Sequence, residues 1–115
     1  MKKKSLAAQD LSRQYQRLCA SLASTGYISQ GSVLDRSQLR PPRSGYQWTR
    51  KVARKTITLA LSPEQFHALR QAIANRRQLH KTIREMEKLS RRILFGSLPD
   101  THRRKSLPKK VLGVI

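Results

Sequence analysis

Ser62-Pro63-Glu64-Gln65 is the punctuation that most narrows the folds open to this chain. Serine as N-cap, proline at the first helical position, an acid near the positive helix end and a glutamine closing a capping box together start a helix. No proline or glycine follows until Gly96, so the helix is expected to run to about Phe95, roughly 50 Å at 1.5 Å per residue. A rod of that length in 115 residues leaves material for only one small domain around it. Phe66, Leu69 and Ile73 share one side of the rod, whereas Leu79, Ile83, Met86 and Ile93 share another, rotated by about 100°. The first half is therefore expected to pack on a sheet. The second half is offered to an N-terminal helix or to a second copy of the chain, a homodimer then forming through Leu79, Ile83 and Met86.

Upstream, Lys2 to Lys4 open a basic arm over residues 1–5, and Leu6, Leu11, Tyr15, Leu18 and Leu22 recur as one amphipathic stripe. A first helix from about Ser5 to Ala23 follows, ended by Thr25-Gly26, with Gly26 taking the left-handed conformation. Cys19 falls beside the stripe and reads as a small buried apolar residue. Alternation over Val33, Asp35 and Ser37 suits a short, partly exposed strand, and Arg40-Pro41-Pro42-Arg43-Ser44-Gly45 is a loop.

Tyr46 to Val52 and Thr56 to Leu61 are rich in aromatic and β-branched residues and form a hairpin over 46–61. With Ala53 and Arg54 as the turn, Tyr46 faces Leu61, Trp48 faces Leu59 and Arg50 faces Ile57, while Thr49 and Thr58 pair on the other side. The apolar side is expected to be buried. Tyr46 and Trp48 then read as core residues ahead of base-stacking ones. The predicted fold is α+β: an N-terminal helix, a small antiparallel sheet of two or three strands, and a long C-terminal helix, making one domain over residues 6–98. Residues 99–115 form a basic flexible tail ending in Val111-Leu112-Gly113-Val114-Ile115.

Charge decides the class of partner. Twenty-five Lys and Arg against six Asp and Glu give a formal net charge of +19, the footprint of a polyanion binder. No stretch reaches the ~18 apolar residues of a membrane span and no signal peptide is visible, so a cytoplasmic location is expected. The one cysteine permits no internal disulfide and no thiolate zinc cluster. Catalysis lacks parts. Glu64 caps a helix, Lys81 with Glu85 and Glu87 with Arg91 are spaced as surface pairs, and His67, His80 and His102 have no triad or ligand spacing. No enzyme activity, cofactor or metal is expected.

The cations are arranged. Arg77, Lys81, Arg84, Lys88 and Arg91 recur at spacings of four, three, four and three along one side of the long helix. Arg50, Lys51, Arg54 and Lys55 surround the hairpin tip, with Arg50 alternatively lying along the edge of the core. Arg103, Arg104 and Lys105, with Lys109 and Lys110, add a cluster in the tail.

Gly26-Tyr27-Ile28-Ser29-Gln30-Gly31-Ser32-Val33, then Gly45-Tyr46-Gln47-Trp48-Thr49-Arg50-Lys51-Val52, Lys55-Thr56, Leu61-Ser62-Pro63-Glu64-Gln65 and the Ala72 to Leu89 helix resemble a family of small bacterial domains of unknown function, commonly encoded within or beside transposons. The resemblance covers roughly residues 6 to 95 and implies a mobile-element setting. Many members carry a cysteine-rich loop ahead of the aromatic strand. Here Leu39 to Ser44 has no cysteine, so no zinc-ribbon function is carried over, and Arg54 stands where a glycine is usual.

The expected role is a non-catalytic nucleic-acid-binding accessory protein that holds the phosphate backbone of DNA or RNA and assists a transposase, recombinase or RNA-guided nuclease. Two alternatives remain open: a subunit docking on a larger enzyme through its apolar helix face, and a ribosome- or chromatin-associated basic protein.

Overall fold

The structure, a computed structural model, describes residues 2–99 and Thr101. Its elements run α1 (Lys2–Ala23), β1 (Ser32–Asp35), a one-turn 3₁₀ helix (Arg36–Gln38), β2 (Tyr46–Val52), β3 (Lys55–Leu61) and α2 (Pro63–Ser97). The fold is α+β, with a three-stranded antiparallel sheet in the order β1-β2-β3 between the two helices in sequence. Apart from Pro99 and Thr101, the expected basic tail lies outside the described residues. Within the 6–98 span read as one domain, the chain divides into two compact units. One is Thr25–Leu79, and the other joins the chain up to Ser24 with the chain from His80.

The sheet unit is organised by β2. Tyr46, Trp48 and Arg50 pair with Leu61, Leu59 and Ile57 of β3, and Val33 and Asp35 of β1 lie opposite Trp48 and Tyr46. The turn is Ala53-Arg54, both in the left-handed region at φ 50° and 68°, the geometry of the tight hairpin turns whose twist matches that of paired strands. A side chain with a Cβ is disfavoured there by about 1–2 kcal/mol per residue.

At the sheet's other end, the Arg36 N–H donates to the Gly45 carbonyl at 2.9 Å and the Arg43 N–H donates to the Arg36 carbonyl at 3.0 Å, closing the loop. Gly45 makes that possible at φ 95°. Asp35 caps the 3₁₀ turn by accepting the Ser37 N–H at 3.0 Å. That bond, with the Ser37 hydroxyl, holds the Asp35 carboxyl below its ordinary value.

α2 opens with the expected capping box. The Gln65 N–H donates to Ser62 Oγ at 3.1 Å, and the Ser62 N–H donates to Gln65 Oε1 at 2.9 Å. Phe66 then stacks on Tyr46 with ring centroids 4.4 Å apart, and Phe66, Ala72 and Ile73 are the buried apolar residues of this unit. The segment between α1 and β1 is tied down at three points. Asn75 Nδ2 donates to the Tyr27 carbonyl, the Ser29 N–H donates to the Ala72 carbonyl, and Trp48 Nε1 donates to the Gln30 carbonyl.

Two expectations fail in this unit. Gly26 is not left-handed; its hydrogen side lies against Asn75, whose Nδ2 would sit 3.0 Å from an added Cβ. Gly31 takes the special backbone instead, at φ 97°, where a Cβ would come within 2.5 Å of the Thr49 carbonyl oxygen. The apolar side of the hairpin is covered at one end only. Phe66 seats on Tyr46, but Ile57 and Leu59 stay 43% and 54% exposed because burial reaches no farther toward the tip.

In the helical unit, α1 begins at Lys2, ahead of the expected Ser5, so the arm continues the helix. Leu11, Gln14, Tyr15, Leu18 and Leu22 are its half-buried stripe. Ser24 ends the helix, its N–H and hydroxyl both donating to the Ser21 carbonyl, at 3.3 and 2.9 Å. Cys19 is exposed, a correction to its expected burial: it projects beside the stripe, not within it. On the stretch of α2 in this unit the buried residues are Thr82 and Leu89, whereas Ile83 is exposed and Met86 half-buried. The packed side of the helix is therefore rotated away from the Leu79/Ile83/Met86 stripe. Among the described residues, every buried side-chain nitrogen or oxygen has a hydrogen-bond partner.

Candidate nucleic-acid interface

All four hairpin cations, Arg50, Lys51, Arg54 and Lys55, are exposed. Their presentation follows from strand lengths. β1 pairs with β2 only from Tyr46 to Thr49, so Arg50, Lys51 and Val52 pair with β3 alone. Beyond the three-stranded part the sheet is a two-stranded ribbon. Strand alternation puts Arg50 and Lys55 on one side of it and Lys51 on the other, with Arg54 in the turn. Arg50 is partly engaged, its guanidinium carbon 5.5 Å from the centroid of the Trp48 ring, a cation–π contact. Tyr46 and Trp48, held by Phe66 and by the Gln30 carbonyl, serve the packing.

The helical stripe divides between the units. Arg77 belongs to the sheet unit and is exposed. In the helical unit Lys81 and Arg84 are exposed, and Lys88 and Arg91 are half-buried. Two acids flank them. Glu85 pairs with Lys88 at 3.5 Å, in place of the expected Lys81, and Glu87 pairs with Arg91 at 3.8 Å. Both pairs are solvent-accessible and contribute little to stability, but they offset part of the positive potential on this side of α2.

Sequence spacing missed two further groupings. A groove of about 490 Å³ in the helical unit is lined by Gln14, Arg17 and Leu18 of α1 and by Glu85, Lys88, Leu89 and Arg92 of α2, so three cations and one acid share it. In the sheet unit, Arg36, Arg40 and Arg43 gather on one closed loop, and Arg36 Nε donates to Gln47 Oε1 at 3.3 Å. Neither grouping has a sequence period, since each depends on chain closure. Tyr27, 94% exposed on its pinned loop, is the one aromatic turned fully outward among the described residues. Arg103, Arg104 and Lys105 lie outside the described residues.

No group of three or more His, Cys, Asp or Glu among the described residues is placed to hold a metal ion, and no described helix is long and apolar enough to cross a membrane. No family model, curated protein or solved structure matches the chain.

Proposed function

We propose that this protein binds nucleic acid through its phosphate backbone, without catalysis of its own, as an accessory to a mobile-element enzyme such as a transposase, recombinase or RNA-guided nuclease. The observation that carries the reading is the β2–β3 ribbon: four exposed cations within six residues, with no acid anywhere from Arg36 to Leu61. A surface of that kind attracts phosphates and releases their counterions on binding. The mobile-element setting rests on the resemblance of the Gly26–Val33 and Gly45–Val52 motifs. With six to ten phosphate contacts, affinity falls by ~10³ to 10⁵ between roughly 50 and 200 mM salt. Electrophoretic shifts across a salt series test this, and a flat response removes the electrostatic mechanism.

A second reading has its own observation. Leu94, Phe95 and Leu98 at the end of α2 are each about half exposed, at 52%, 49% and 57%, an apolar patch suited to docking on a larger protein. It lies farther along α2 than Leu79, Ile83 and Met86, of which Ile83 is exposed and the other two half-buried. Changing Leu94 and Leu98 to Asp should abolish co-purification with a partner while leaving nucleic-acid binding intact.

A further inference from the structure

The hairpin turn is built against local preference. Left-handed positions in such turns are favourable for Gly, Asn and Asp, yet they are held here by Ala53 at φ 50° and Arg54 at φ 68°. Glycine would relieve both. Both residues are exposed, and because Ala53 offers only a methyl group, a functional reading of the strain falls on the Arg54 side chain. Arg54 thereby sets a guanidinium at the foremost point of the ribbon.

The ribbon's size indicates what it meets. Three residue pairs, Arg50–Ile57, Lys51–Thr56 and Val52–Lys55, project beyond β1. At ~3.3 Å per residue they extend about 10 Å. The major groove of B-form DNA is about 12 Å wide and 8.5 Å deep and admits a two-stranded β-ribbon. The corresponding groove of A-form RNA is too narrow for side chains to read. With cations on both sides of the ribbon and Arg54 at its tip, a groove would border the former with phosphates and meet the latter with its floor.

Resting on the nucleic-acid reading above, we propose that the β2–β3 ribbon enters the major groove of duplex DNA, where Arg54 contacts base edges and Arg50, Lys51 and Lys55 contact the flanking phosphates. The planar guanidinium fork matches guanine O6 and N7, so a G·C pair at the contacted position is the expected preference.

The full chain and its Arg54→Gly and Ala53→Gly variants test this, by thermal unfolding and by fluorescence anisotropy with a duplex DNA, the matching duplex RNA and a single strand. Both variants should raise Tm. Arg54→Gly should weaken duplex DNA binding by about 10- to 100-fold, while Ala53→Gly leaves it unchanged. Wild type should favour duplex DNA over duplex RNA. Unchanged duplex binding by Arg54→Gly, a lowered Tm, or equal affinity for the RNA duplex overturns the proposal while the broader reading stands. A wild-type chain that binds none of the three probes overturns both.

Discussion

The hairpin and the helical stretch of α2 carry the same kind of side chain, yet they hold it in different electrostatic settings. On the ribbon, Arg50, Lys51, Arg54 and Lys55 have no acid among their neighbours along either strand. On α2, Lys88 and Arg91 sit with Glu85 and Glu87 at 3.5 and 3.8 Å. A count of cations treats the two as equal. Availability to a phosphate does not, because a polyanion must displace an existing carboxylate on the helix and only water and counterions on the ribbon.

The scaffolds under the two regions differ as well, and that difference gives the largest expected effect. Phe66→Ala removes the ring that seats on Tyr46 and should cost about 3 kcal/mol in the sheet unit. Leu89→Ala should cost about 2 kcal/mol in the helical unit, where fewer apolar side chains are buried around it. Hydrogen exchange on each variant should localise the loss to its own unit, and equal loosening of both would mean that they unfold as one body.

Next in size is the contrast in binding. Replacing Arg50, Lys51, Arg54 and Lys55 together by Gln should weaken binding about 100-fold or more and lower the salt slope by about 0.9 for each phosphate no longer neutralised. Replacing Lys81, Arg84 and Lys88 by Gln should cost about 10-fold. Equal losses would show that the flanking acids are immaterial. Glu85→Gln sharpens the same point: it removes the partner of Lys88 and should tighten binding by about 2- to 3-fold at low salt, an effect that fades as salt is raised.

The smallest effect concerns pH. The Asp35 carboxyl is held below its ordinary value by the Ser37 N–H, so its folded pKa lies under its unfolded one. The stabilisation is present above the unfolded pKa and is lost as pH falls through the folded value. Protection of the Ser37 amide, its exchange rate taken relative to the intrinsic rate at each pH, should therefore fall on acidification, and Asp35→Asn should flatten that dependence.

Local chemistry was legible in the sequence. The capping box at Ser62, the hairpin register and the Ala53-Arg54 turn each depend on residues a few positions apart, and all three stand as read. What failed depends on partners far along the chain. Thr82 and Leu89, not Ile83, are buried on this stretch of α2, where Leu89 lines a groove with Gln14, Arg17 and Leu18 of α1, and a threonine hydroxyl gives no hydropathy signal. Gly26 serves a close approach to Asn75, forty-nine positions away, where a left-handed helix end was expected. The candidate cations were visible as spacings, but Arg17 meeting Lys88 and Arg92 across one groove was not.

β3 is one of the two outer strands of its sheet, with the β-formers Thr56, Ile57 and Thr58 at its centre and only Lys55 charged. Such a border is a template for pairing with another chain, and mutual repulsion between highly cationic molecules is what keeps two of them from aligning. Ionic strength thus acts on this chain in two opposed ways. Concentrated electrolyte would loosen the proposed hold on a polyanion and at the same moment screen the repulsion that opposes pairing along this edge, so the chain on its own is expected to be most soluble in dilute buffer.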